Sequence, residues 1–355
     1  MKKSIWWIVG IVVVILIIVG VSANNKSSQS KPIKIGVILP LSGDLAMLGE
    51  PAQKAAQFAL DNYPGTKNQY QLIFEDDQFN GSKTVTAANK LISIDKVNAI
   101  ISFASTAGNV VNPLATQNMI IHFAVASDPK IADGKYNFNH WTPPSEEARV
   151  MVQQLKERGI NKIGLFTGNQ AGMLAVANEL KSQLNGTGIS VVSDLVFNIG
   201  EKDFKTLIAK AQPSNAQVYV LFCFTPELEL LAKQMKDAGV KTPLTAIESF
   251  DQTNQPELFN GYWYVSASDP SSSFVDQFKQ KFGQAPSFGT ANVYDIIGMI
   301  VTAIESDKSS GTPNADQISL NLHNLKDYKG AMGDLSIGDN GLVLSQATVK
   351  TVKVK

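Results

Sequence analysis

Cysteine and histidine are scarce in this sequence, and their scarcity excludes several kinds of site. The 355 residues contain one cysteine, Cys223, and three histidines. A single cysteine cannot form an intramolecular disulfide or a paired-cysteine zinc or redox motif. The histidines, His122, His140 and His323, are scattered and form neither an HExxH motif nor a pair at helical spacing. We therefore expect no histidine-rich metal site.

Net charge and catalytic motifs are also missing. The chain has 31 basic and 31 acidic side chains, and this balance argues against nucleic-acid binding, which needs a basic face. No GxSxG elbow, GxxxxGK[ST] phosphate loop or GxGxxG dinucleotide motif occurs. We therefore expect no catalytic residues, no metal and no cofactor. The sequence favours a binding protein, and an enzyme is the least favoured alternative.

An apolar run opens the chain. Lys2 and Lys3 precede unbroken apolar residues 5–21, which predicts a cytoplasmic N-terminus and an extracytoplasmic body. Residues 1–23 are either an uncleaved signal anchor, because the run just reaches the length that spans a bilayer, or a signal peptide cleaved near Ala23. An uncleaved segment would hold the protein on the membrane, whereas cleavage would release it. Residues 24–31 are predicted to be a flexible polar linker.

The remaining chain alternates short β-branched runs with amphipathic helical stretches. The segments 34–39, 71–76 and 99–103 have the composition of buried strands, and helical patterns follow each of them. The pattern restarts after Pro143 and Pro144. Such alternation is typical of parallel sheets covered by helices on both faces, so we predict two doubly wound α/β lobes.

Several polar residues directly follow predicted strands, where ligands bind in open parallel sheets. Ser105 and Thr106 follow one strand and Ser127 follows the next. Two interpretations are open for the first pair, since hydroxyl residues serve as helix caps and also help to bind anions at a helix N-terminus. Glu248 follows another apolar strand. It is either a solvated surface carboxylate or a partly buried one that needs a cation, such as a ligand ammonium.

These residues belong to segments that resemble the leucine/isoleucine/valine-binding proteins, the type 1 periplasmic solute-binding proteins of ABC importers. The resemblance extends over nearly all of 31–355. It is carried by IKIGVILPLSGDLAMLGEPAQKAAQFALDN, AIISFASTAG, HFAVASDP, HWTPPSEEARVM, VYVLFCFTPELELLAKQMKDAG and GAMGDLSIGDNGLVL.

The resemblance implies a clamshell of two lobes joined by a three-strand hinge, which would follow the N-terminal apolar helix. It implies crossings near Trp141, Ser266 and Lys329. The lobes would then consist of 32–140 with 266–328 and of 141–265 with 329–355. In such proteins an amino-acid ligand is held between the lobes, which close on it, and the closed form docks on an ABC permease in the membrane.

The resemblance also implies which residues bind the ligand. Thr106, with Ser105 beside it, would bind the α-carboxylate, and Glu248 would bind the α-ammonium. The other matching positions are a strand end and an aromatic wall: Val125, Ala126, Ser127 and Phe224.

Three positions depart from the family pattern and concern the pocket for the ligand's side chain. Leu48 and Ala171 stand where the family has aromatic residues, and Phe103 stands where a proline or an acid is common. Loss of two aromatic walls predicts a larger or differently polar pocket. An amino acid or similar zwitterion remains the favoured ligand, and a membrane-anchored sensor domain without a transport role is the alternative function.

Overall fold

The computed structural model describes residues 31–307 and 314–354. The predicted signal segment 1–23 and the linker up to residue 30 lie outside the described residues. Within the described ranges, no helix has both the length and the apolar composition that crossing a membrane requires.

The first lobe is built on a five-stranded sheet whose paired strands are all parallel, in the order β2-β1-β3-β4-β5. Strands β1 and β3 are almost wholly buried, as their continuous apolar runs predict. The elements of this half are β1 (Ile33–Leu39), α1 (Ala46–Asp61), β2 (Tyr70–Asp76), α2 (Gly81–Lys90), β3 (Ala99–Phe103), α3 (Ser105–Asn118), β4 (Ile121–Val125) and β5 (Asn137–Asn139).

The second lobe repeats this plan with a four-stranded parallel sheet in the order β7-β6-β8-β9. Its elements are α4 (Pro144–Glu157), β6 (Lys162–Gly168), α5 (Ala171–Leu184), β7 (Ser190–Phe197), α6 (Lys205–Ala211), β8 (Val218–Phe222), α7 (Glu227–Asp237), β9 (Leu244–Ala246) and β10 (Trp263–Ala267). A bridge between Ile247 and Val265 joins β10 to this sheet. The predicted α/β class with parallel sheets in two lobes is confirmed.

The chain then returns to the first lobe. The new elements are α8 (Ser272–Phe282), α9 (Thr290–Glu305), α10 (Ala315–His323), β11 (Tyr328–Gly330), β12 (Gly333–Leu335) and β13 (Ala347–Thr351). Helix α9 is apolar on nearly every side because it packs inside the first core, where Ile296 and Ile300 are fully buried.

The predicted lobe boundary between residues 328 and 329 differs from the one in the structure. The sequence assigns residues 329–355 to the second lobe, but Leu335, Ile337 and Val343 are buried in the first core, and Leu342 bridges to Asn139 at the edge of the first sheet. Only β13 joins the second lobe, where it pairs antiparallel with β10. The resemblance implied this boundary, and no local sequence pattern indicates which of two cores receives an apolar residue.

Candidate ligand-binding cleft

A cleft lies between the lobes, where strands of both parallel sheets end. Small-molecule sites commonly have this position. Seven of the nine predicted site residues line it: Leu48, Ser105, Val125, Ala126, Ser127, Phe224 and Glu248. The lining comes from both lobes, so a ligand held here would contact both.

The first lobe contributes the turn between β3 and α3. Ala104 is the residue before the helix; it has a φ of +74°, and no side chain caps the helix there. This left-handed conformation is costly for a residue with a Cβ and is typical of functional turns. Ser105 is therefore the first helical residue, and its Oγ accepts a hydrogen bond from the Asp128 backbone N–H at 3.1 Å. Neither Ser105 nor Thr106 is the N-cap.

Two predicted site residues do not line the cleft. The hydroxyl of Thr106 accepts a hydrogen bond from Nε2 of Gln170 at 3.2 Å, across the lobes. Ala171 begins α5 beside the cleft, but its neighbours Gln170 and Gly172 form the wall instead. Thr106 thus contacts the opposite lobe instead of the cleft. The residues before and after Ala171 take the lining position that the sequence assigned to Ala171.

Glu248 is the acidic group of the cleft. It follows β9 with a φ of +64° and is only 6% exposed. The hydroxyl of Ser127, from the first lobe, lies 2.9 Å from both carboxylate oxygens. The indole N–H of Trp141 also donates to this carboxylate. These bonds hold the acid in a fixed orientation at the boundary between the lobes, so the solvated-surface interpretation does not hold.

The cleft lining offers this acid no basic partner within the described ranges, where no lining residue is Lys, Arg or His. Burial raises the pKa of Glu248, and hydrogen bonds from Trp141 and Ser127 oppose that rise. Glu147, fully buried nearby on α4, has a pKa well above its usual range because of its burial and of the Glu248 carboxylate. A buried carboxylate without a cation is costly, so the cleft is electrostatically suited to a positively charged ligand group.

Five aromatic rings contribute to the remaining wall of the cleft. Phe79 of the first lobe meets Phe224 of the second edge to face, with ring centroids 5.7 Å apart. Trp141 packs against Phe288 at 4.5 Å, and Phe103 lies on the same side. Aromatic rings from other positions thus line the cleft. They replace the two aromatic walls that the sequence predicted to be lost at Leu48 and Ala171.

Sequence reasoning did not assign a site role to several lining residues: Phe79, Trp141, Gln170, Met173, Gln252 and Phe288. One feature of the sequence could have indicated a site role for Trp141, because this residue lies in a segment that carries the family resemblance. Phe79 and Phe288 lie in loops, where no periodicity marks the direction of a side chain.

Gly172 has no side chain, and this allows the two lobes to approach each other closely at this position. A Cβ at this position would lie 2.6 Å from Oγ of Ser105 in the first lobe, closer than real contacts allow. We expect Gly172→Val to weaken ligand binding at least about tenfold, because the added side chain holds the lobes apart. Calorimetry would measure the affinity, and small-angle scattering would show no ligand-induced compaction in the variant.

The exposed Asn178 lies on the same helix, and Asn178→Val is the matched control. This control should bind and compact like the unchanged protein. Normal affinity in Gly172→Val would show that binding does not require the contact between Gly172 and Ser105.

Two α/β lobes with a cleft between their strand ends define the class of bilobal solute-binding proteins, and comparison with known proteins identifies the family. Residues 32–353 match the family model described as periplasmic binding protein. The chain belongs to this family, which supports a solute-binding role and an extracytoplasmic location.

Named relatives agree with this assignment. A Leu/Ile/Val-binding protein homolog 3 of Brucella melitensis is 26% identical over 333 residues, with 89% of each chain covered. A crystal structure of a leucine-binding protein from Thermotoga maritima has a TM-score of 0.82 at 24% identity, covering 90% of this chain and 95% of the other. A branched-chain amino-acid transporter binding protein from Streptococcus pneumoniae, solved with isoleucine, has a TM-score of 0.81 at 22% identity, covering 91% and 97%.

Proposed function

We propose that this protein is a non-enzymatic solute-binding protein that captures an amino acid or a similar zwitterion between its lobes and delivers it to an ABC permease. The observation that carries the proposal is the Glu248 carboxylate, buried between the lobes without a basic lining residue among those described. A ligand ammonium would supply the missing charge and form charge-assisted hydrogen bonds.

The opposite end of the zwitterion would bind at the start of α3. This helix begins at Ser105 without a side-chain cap, and a helix N-terminus favours negative charge. The hydroxyl of Ser105, which accepts a bond from Asp128, still has its own proton to donate. The apolar and aromatic walls would take the ligand's side chain.

Closure would be a rotation of the lobes about the segments that connect them, near Trp141, Ser268 and 344–346. Contacts among these segments support a common hinge. Ser268 N–H donates to the Gln346 carbonyl at 3.0 Å, and the Ser345 hydroxyl lies 3.3 Å from that of Thr142. Ligand contacts made only in the closed form would stabilise that form, and the closed form would be the one that a permease recognises.

Matched ligands test the proposal. Each common amino acid would be compared with its 2-hydroxy acid, which keeps the carboxylate and the side chain but lacks the ammonium. We expect at least one amino acid to bind in calorimetry and to raise the melting temperature, since a ligand at 100 times its Kd adds about 2.7 kcal/mol. Its hydroxy counterpart should bind at least about tenfold more weakly. Equal binding of the two would contradict recognition of the ammonium.

A further inference from the structure

Gln252 is a buried amide without a partner in the wall of the cleft. It is 1% exposed, and neither Oε1 nor Nε2 has a hydrogen-bond partner in the part of the chain that the structure describes. No other described residue of the cleft lining has a buried side-chain nitrogen or oxygen without a hydrogen-bond partner. Buried amides are nearly always paired because an unmade bond is costly. This amide has no partner among the described protein atoms, so both its donor and its acceptor are free to bond a group that enters the cleft.

The second lining glutamine shows the contrast. Oε1 of Gln170 accepts from the backbone N–H groups of Gly172 and Met173, at 2.8 and 3.1 Å. Its Nε2 donates to the Thr106 hydroxyl. Gln170 thus has a structural role as the cap of α5. Gln252 has no such bond to any described residue.

The turn that carries Gln252 is fixed by its other residues. The Ser249 hydroxyl donates to the Leu221 carbonyl at 3.0 Å and accepts from the Cys223 N–H at 3.1 Å. Asp251 accepts from the Tyr264 hydroxyl at 2.5 Å. The backbone of the turn Ser249–Gln252 is therefore held against the second lobe. A side chain supported in this way is preorganised for a ligand.

From this geometry we infer that the ligand carries, besides its ammonium and carboxylate, an amide or hydroxyl in its side chain, and that Gln252 binds that group. Both groups donate and accept hydrogen bonds, as the unpaired amide requires. The inference rests on the proposed function and deepens it. It makes Gln252 a specificity-determining residue, because a site built to bond a polar ligand group discriminates strongly against an analogue that lacks it.

Pairs of amino acids with similar shape test this inference by calorimetry. Each pair joins a polar to an apolar side chain: threonine with valine, asparagine with leucine, and glutamine with methionine. For at least one pair we expect the polar member to bind about tenfold or more tightly. In Gln252→Met that preference should fall at least about tenfold, with the affinity for the apolar member changing less than about threefold.

A stability measurement separates ligand recognition from a structural role. Gln252→Met removes two unpaired buried atoms and keeps the volume, so the melting temperature of the ligand-free protein should stay equal or rise. A clear loss of stability would indicate that the amide bonds the protein itself, and would overturn the inference.

Different results would contradict the role of Gln252 and the binding of amino acids. Tighter binding of the apolar members, or a polar preference that survives in Gln252→Met, overturns the role of Gln252 and leaves amino-acid binding intact. Absence of binding by every amino acid overturns the proposed function and the inference with it. Loss of the preference in the variant supports both.

Discussion

Glu248→Gln is expected to weaken binding of an amino acid about 10- to 100-fold. The substitution keeps the shape of the side chain and an oxygen that can accept from Ser127 and Trp141, but it removes the negative charge. A hydrogen bond to a charged group contributes about 1.5–3 kcal/mol, which corresponds to that range of affinity. Calorimetry with the best amino-acid ligand measures the effect.

Two comparisons make this result specific. The 2-hydroxy acid should lose little affinity in the variant, because it has no ammonium to pair with the charge. Asp237→Asn removes an exposed acid from the same lobe and should leave the affinity for the amino acid unchanged. Unchanged affinity in Glu248→Gln would remove this residue from ligand recognition.

Glu147→Gln is expected to stabilise the protein at neutral and higher pH. Burial and the nearby Glu248 raise the pKa of Glu147 well above its ordinary value of 4.5, and Asp251 adds to the rise. In the unfolded chain this carboxyl ionises near pH 4.5, whereas the folded protein retains the proton. The wild-type protein therefore loses stability relative to the variant as pH rises above about 4.5, by about 1.4 kcal/mol per pH unit until the folded pKa is reached.

Melting temperatures of both proteins between pH 4 and 8 would measure this difference. The neighbouring Glu146 is the control, since its ion pair with Arg149 lowers the pKa of Glu146. Glu146→Gln should have the opposite sign, with a small loss of stability above pH 4.5 that disappears in acid. A difference between Glu147→Gln and wild type that does not vary with pH would show that Glu147 is ionised in the folded protein.

The sequence predicted the lobes better than their boundaries. Alternation of buried strands with amphipathic helices depends on local periodicity, which directly reports secondary structure and burial. The assignment of residues 335–343 depends on which core their side chains enter, and both cores accept the same apolar residues. Leu335 and Val343 pack in the first lobe. A local sequence pattern could not predict which lobe receives them.

The sequence predicted those site residues whose position follows from the direction of the strand before them. Ser105 and Ser127 follow strands of the first sheet and Glu248 follows a strand of the second, and all three line the cleft between the ends of these strands. Thr106 lies one residue further on and contacts Gln170 instead. That one-residue difference depends on the left-handed turn at Ala104, which an alanine does not signal in a sequence.

The sequence by itself determined that two parallel α/β lobes form and that small, hydroxylic and acidic residues lie at their strand ends, because secondary structure and burial follow from short-range patterns. Only the tertiary structure decided that Phe79 meets Phe224 across the cleft, that Glu147 is buried near Glu248, and that Gln252 lacks a partner. These features depend on residues far apart in the chain, which only tertiary packing brings together.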